Sequence, residues 1–308
     1  MNIIRPTTIT DAILTSSDVT EADYAAWNSG TTYAAAERCI VTTPNVHMIY
    51  ESLAGANLNH DPVVDCALAV PLYWKEVSAT NRWKVFDGKV GSQTEKADSM
   101  NYVFTPGLID SAFFGNLDAT NVHMVMTDPV EGEVFNKSIN LISTVNVIDW
   151  YTYFFEPIIR AVDLVQSDLA EVNLPPYLLA TLSVTITYPG GMVKCGEIVI
   201  GIKSEIGTLT LDAAVGITDY STKEADDDGN YTITERAFSK RLSGDLIIKN
   251  TIIDEIFRQL ALYRATPLVW IGSEDYTCLI VYGFWKRFEF VTSDTQYTEF
   301  SLEVEGLT

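Results

Sequence analysis

Close cysteine pairs, metal-ligand spacings and long apolar runs are all missing from this chain of 308 residues. Its four cysteines, Cys39, Cys66, Cys195 and Cys278, stand far apart and form no CxxC pair. Disulfide frameworks belong to shorter, cysteine-dense chains, and zinc sites need close ligand pairs, so the four read as buried free thiols. The three histidines, His47, His60 and His123, share no HxxxH or HExxH spacing. No metal set is expected from them, and each reads as a surface or half-buried imidazole. A GxSxG elbow and a GK[ST] phosphate loop are also lacking. No stretch reaches the ~20 apolar residues of a spanning helix. The greasiest region, 146–169, is broken by Asp149, Glu156, Pro157, Arg160 and Asp163. The opening Met1-Asn2-Ile3-Ile4-Arg5-Pro6 has neither the charged start nor the apolar run of a signal peptide. Basic residues are scarce, 20 against 41 acidic ones, for a net charge of −21. That charge repels phosphate backbones and anionic lipid, so neither nucleic-acid binding nor membrane insertion is expected.

Apolar residues are plentiful. They make up 47% of the chain, with 11% aromatics, which is ample for packed cores and argues against disorder. A mean hydropathy of +0.10 without a membrane segment implies surplus apolar surface, and so a homo-oligomer. The pattern predicts a mainly β protein in four parts. Residues 1–20 form an N-terminal arm or edge strand. Residues 21–77 form a small aromatic β module. Residues 78–211 read as a β-sandwich or jelly-roll-like region, and 212–308 as a C-terminal α+β unit.

Within the sandwich region, 181–187 alternates apolar and polar with period 2, as a half-buried strand does. Tyr188-Pro189-Gly190-Gly191 then reads as a turn, and 195–201 as the second strand of a hairpin-like pair. Residues 122–126 and 138–147 are further strands. Asp226-Asp227-Asp228-Gly229-Asn230 reads as the acidic tip of a long hairpin between 216–220 and 231–236. One amphipathic helix is predicted over 251–264, closing at Arg264. It places Ile252, Ile253, Ile256, Phe257, Leu260 and Tyr263 on one face, with Thr251 and Asp254 as a capping-box-like start and Pro267 beyond its end. Strands at 278–290 and 297–304 complete the unit.

Little of this supports catalysis. With 41 acids, close carboxylate pairs arise by chance, so a non-enzymatic protein without cofactor is expected. The acidic tip fails as a calcium loop because Gly229 stands fourth from Asp226, where the loop needs a glycine sixth. The aromatics of 21–77 are more informative. Trp27, Tyr33, Tyr50 and Trp74 are either a glycan-stacking platform or the core of a small domain. A domain of that size needs the rings for its core first, so weak glycan affinity is expected. Read as a strand, 81–86 points Trp83 and Phe86 to opposite sides, one toward the module and one toward the sandwich.

Two resemblances follow. Trp27, Tyr33 six residues on, Tyr50, Pro62 and Trp74-Lys75-Glu76-Val77 resemble the small chitin-binding-like carbohydrate-binding modules of families 5 and 12. Ala36-Glu37-Arg38-Cys39 stands where that pattern has Gly-Asp-x-Val, and His47 where it has a glycine. The remainder is similar to tailed-bacteriophage virion proteins of the tail, baseplate or collar. That likeness is carried by 80–87, by 230–241, and by Val281-Tyr282-Gly283-Phe284 together with 301–307. It implies a structural component of the virion that is assembled in the host cytoplasm, with other virion proteins and its own copies as partners. The module implies a host surface glycan as a further partner, and hence a receptor-binding protein as the alternative.

Overall fold

The computed structural model describes residues 1–43, 46–142, 149–155, 166–225, 230–274, 276–291 and 296–307. The protein is mainly β, with 52% of residues in strands and 10% in helix. β1 (Asn2–Pro6) and β2 (Leu14–Ser17) open the chain. The small module follows, with β3 (Thr32–Tyr33), β4 (Arg38–Val41), β5 (Met48–Ser52), β6 (Asn57–Leu58), α1 (Pro62–Cys66) and β7 (Trp74–Ala79). Strands β4, β5 and β7 pair in that order, and β3 pairs with β6. The central region holds β8 (Thr94–Phe104), β9 (Ser111–Gly115), β10 (Asn121–Asp128), β11 (Gly132–Asn140), α2 (Trp150–Phe155), β12 (Leu169–Glu171), β13 (Thr181–Cys195) and β14 (Glu197–Glu205). The last third holds β15 (Thr208–Leu209), β16 (Ala214–Asp219), β17 (Thr222–Ala225), β18 (Tyr231–Thr234), β19 (Phe238–Lys249), α3 (Ile253–Leu262), β20 (Leu268–Ile271), β21 (Ile280–Val291) and β22 (Tyr297–Gly306).

Two sheets organise the body. The smaller has the order β11-β10-β13-β8-β2. The longer has ten strands, in the order β12-β9-β14-β1-β20-β21-β22-β19-β15, with β16 also on β19. The long sheet therefore runs unbroken across the boundary expected after Leu211. It also takes β1 as an interior strand, between β14 and β20, where an arm or edge was expected. β2 is the edge strand of the smaller sheet.

One face of the long sheet is covered in two ways. Over β9 and β14, Phe114, Ile198 and Ile200 meet Tyr102, Phe104, Val122, Met124, Leu182 and Val184 of the smaller sheet, which makes a sandwich. Ile3 pairs with Ser204 across β1 and β14, which keeps it on that same face. There, with Trp270, Phe300 and Leu302, it packs on Ile256 and Leu260 of α3. Ile4 points the other way, to a cluster with Phe113, Val199, Val269 and Ile271. Adjacent strand residues face opposite sides, so full burial of both isoleucines means that β1 is covered on both faces.

Three expected local structures came out differently. The Tyr188–Gly191 turn is absent: β13 runs straight through it, with a register shift between Tyr188 and Met192 that absorbs the extra residues as a bulge. β13 and β14 then belong to different sheets and do not pair. The chain turns between them at Gly196, where a Cβ would meet the Val90 carbonyl at 2.4 Å. Residues 81–86 are likewise not a strand. Thr80 O accepts from the N–H groups of Trp83 and Lys84, and a 3-10 turn runs Lys84–Phe86. Positions i and i+3 of such a turn share a side, so Trp83 and Phe86 pack edge-to-face at 5.6 Å in one core. The helix begins as a 3-10 turn, Asn250–Ile252, and Ile252 occupies the N-cap with no side-chain hydrogen bond, so Thr251 does not cap it. The tip residues 226–229 lie outside the described residues, as do 143–147 of the strand expected over 138–147.

β1 is admitted by a glycine opposite it. A Cβ on Gly201 would stand 1.9 Å from the Arg5 carbonyl oxygen. Gly201→Ala is expected to cost at least about 2 kcal/mol, because backbone must move to relieve the overlap. Thermal unfolding of the variant checks this, and an unchanged midpoint would contradict it.

Candidate functional site

The module's rings are placed by its shortest elements. Asp61 caps α1 through the N–H groups of Val63 and Val64, with Pro62 in the first turn. This puts Asp65 inside the module. Its carboxylate accepts from the backbone N–H groups of Leu72, Tyr73 and Trp74, at 2.9–3.3 Å. Burial works to raise the Asp65 pKa, but these N–H bonds outweigh it and the net shift is downward. Trp74, so anchored, donates Nε1–H to the His60 carbonyl at 2.8 Å.

Of the four expected glycan-binding residues, the structure puts three in the core. Tyr33, Tyr50 and Trp74 are 7%, 4% and 0% exposed and form one cluster with Cys39. Tyr33 meets Trp74 edge-on at 5.0 Å, and its hydroxyl accepts from Asn28 N–H at 2.8 Å. Burial pushes the Tyr50 hydroxyl up to about 12. Trp27 is half-buried against the same cluster. Tyr33 and Trp74 are edge-on and, with Tyr50, enclosed, where a stacking platform needs coplanar open faces. Of the four, Trp27 alone keeps part of its ring in solvent. Ala36, standing where the family pattern has glycine, adopts a φ of 67°, the left-handed region.

His47, the second departure from that pattern, is buried rather than at the surface. Its Nδ1 lies 2.6 Å from Glu21 Oε1, and its Nε2 lies 3.0 Å from Asp11 Oδ1. The ring tilts over Trp83, with centroids 4.6 Å apart. Glu21 also accepts from Thr80 Oγ1 at 2.7 Å and faces Arg82 Nη1 at 3.4 Å. These contacts fasten the module to the body around one buried carboxylate.

A second polar cluster lies in the body. Beside the 3-10 turn at Lys84–Phe86, Glu197 is buried, with Asp87 and Tyr282 as neighbours. The Tyr282 hydroxyl and the Gly88 N–H bond to the carboxyl, while its Oε2 has no partner. Burial first, and the nearby Asp87 second, hold the Glu197 pKa well above the carboxylate range. Asp87 is also raised, mainly by burial. Tyr282 borders a cleft of about 200 Å³ whose wall carries the Asp168–Lys240 ion pair, Asn116 and Phe113. Of the thiols expected to be buried, Cys39 and Cys195 are so, whereas Cys66 is half-buried and Cys278 is exposed. Desolvation pushes Cys39 up to about 12, so it stays un-ionised. Among the described residues, no three His, Cys, Asp or Glu side chains converge as metal ligands.

Sequence reasoning missed Asp65, Glu21 and Glu197. No motif marks any of them, and only the fold reveals a carboxylate ringed by backbone N–H groups or sealed beneath a loop. In comparisons with known proteins, no family model and no curated protein sequence matches the chain.

Two predictions follow from this geometry. Ala36→Gly relieves a left-handed alanine and is expected to stabilise the protein by about 1 kcal/mol, read as a shift in chemical unfolding. For Glu197, a folded pKa above the unfolded value means that the folded state holds the proton more tightly. The acid's contribution is therefore complete below the ordinary pKa of about 4.3 and is lost as pH rises through the raised value. Glu197→Gln is expected to flatten that decline and to gain on the wild type as pH rises above the ordinary carboxylate range. Parallel melting curves across that rise, with no convergence or crossing, would contradict the assignment.

Proposed function

We propose that this chain is a non-enzymatic structural subunit of a tailed-phage virion, in its tail, baseplate or collar, where it assembles with other virion proteins and with its own copies. The observation that carries the assembly part of this reading is the β17–β18 ribbon. Among the described residues it pairs only with itself, and every residue of the two strands except Thr222 is exposed, including Tyr231 and Ile233. An isolated two-stranded ribbon is marginal in water, so this one fits a segment that a neighbouring subunit covers. The module adds exposed Val64, Leu68, Val70 and Leu72 beside a core that has already consumed its aromatics. The virion part of the reading draws on the texture of 80–87, 230–241 and 301–307. In the structure, 230–241 contains β18 and the start of β19, so that stretch coincides with the projecting ribbon.

Mass spectrometry of purified tailed particles whose genome encodes the chain tests the proposal. The expected result is the chain in fixed stoichiometry with known tail proteins, located in a symmetric ring by cryo-electron microscopy. Absence from intact particles overturns it.

A further inference from the structure

The chain's greasiest stretch lies between β11 and β12, and it contains α2. All five aromatic side chains of α2 are largely in solvent: Trp150 78%, Tyr151 65%, Tyr153 61%, Phe154 65% and Phe155 74% exposed. Among the described residues, none of them belongs to any of the four apolar clusters of the fold. They are nonetheless ordered against each other. Trp150 stacks on Phe154 with centroids 6.0 Å apart and planes within 15°, and Tyr151 leans on Phe155 at 5.3 Å. Tyr153 meets Phe154 edge-on at 4.9 Å. These are pairs at i, i+4 and i, i+1, so a single short helix sets the whole cluster.

We propose that α2 is a self-association surface, through which two copies of this chain meet α2 to α2. This proposal rests on the assembly reading above and gives it a contact and a partner.

Three arguments favour a second copy. The first is size. A buried aromatic covers roughly 150–250 Å², so five rings at this exposure offer roughly 500–900 Å². One partner's share of a stable interface is about 800 Å². The second is charge. At −21 per chain, two copies repel over most of their surfaces, but Trp150-Tyr151-Thr152-Tyr153-Phe154-Phe155 carries no charge. Asp149 and Glu156 flank that stretch in sequence, so contact through its rings puts no acid among them, whereas a basic partner is drawn to the acidic surface elsewhere. A helix built for a membrane surface carries Lys or Arg on its polar face, and α2 has neither. The third is geometry. An isologous contact needs a self-complementary patch. Interlocked rings present both faces and edges, which pair favourably with a copy of themselves. Because the rings already hold each other, docking freezes few rotamers.

The test uses the full chain, by sedimentation velocity from nanomolar to about 20 micromolar, with the double variant Trp150→Ser/Phe154→Ser. The wild type is expected to dimerise with concentration. The variant is expected to weaken that dimer at least tenfold while keeping its unfolding midpoint, since α2 packs in none of the cores. Leu262→Ser, an equally exposed apolar change on α3, is expected to leave the dimer intact and so controls for general loss of greasiness. A monomeric wild type at the highest concentration overturns the proposal, as does a dimer unchanged by the double variant. Flotation with phosphatidylcholine vesicles that is lost in the variant also overturns it, in favour of a lipid surface. A monomer that is present in the particle refutes this contact and leaves the virion reading standing. A dimer that is absent from the particle does the reverse.

Discussion

Everything in the body hangs on five residues at the start of the chain. β1 fills the gap between β14 and β20, pairing Ile4 with Lys203 on one side and with Val269 on the other. Without it, the long sheet separates into a sandwich half, β12-β9-β14, and a half built on α3. The amino group of Met1 extends the tie by donating to the Gly207 carbonyl at 2.5 Å. Burial lowers the pKa of that amine. β1 lies about 200 residues of sequence from β14 and about 265 from β20, so loop closure makes its docking slow. The slot must be shaped before β1 arrives, which is why bare backbone at Gly201 matters more than any side chain nearby.

The buried carboxylates divide by what surrounds them. Asp65 is charged and useful because three backbone N–H groups aim at it. Glu21 gathers a histidine, a threonine and an arginine from separate segments, so its charge joins the module to the body. Glu171, in edge strand β12, meets Lys137 of edge strand β11 at 2.5 Å and so clasps the two sheets at one border. Glu197 has the opposite setting, buried with Asp87 beside it. A carboxyl there is favoured when neutral. The Asp65 setting stabilises the charged form of its acid, and the Glu197 setting stabilises the protonated form. A chain with 41 acids thus uses the same chemistry in two directions.

Periodicity made the strands legible and left their partners hidden. The alternation in 181–187 does mark a strand, and the β22 pattern of Phe300, Leu302 and Val304 does bury those three residues. The α3 face was readable in part: Ile256 and Leu260 are buried and Ile252, Ile253 and Tyr263 half-buried, but Phe257, expected on the same face, is exposed. Nothing in a period of two says which sheet a strand joins, and β13 and β14, adjacent in sequence, separate into different sheets for that reason. Glycine and proline at 189–191 carry the chemistry of a turn and of a bulge alike, and neighbouring strands decide between them. The aromatics of the module posed the same ambiguity: a core and a stacking platform have one composition. Only the edge-on Tyr33–Trp74 contact separates the two for these rings.

The leftover apolar surface is distributed in a telling way. The two sheets bury their inward side chains almost completely, so their cores need nothing from outside. Exposed apolar groups collect instead on outlying parts: α1 and the following turn, α2, and the β16 to β18 segment with Val215, Ile217 and Tyr231. These are short elements with little packing of their own, and a rigid double sheet holds them apart. A single apolar patch closes into a dimer and stops there. Several distinct patches allow both isologous and head-to-tail contacts, which is the requirement for rings and stacked layers. Strong negative charge between the patches then penalises every other mode of contact.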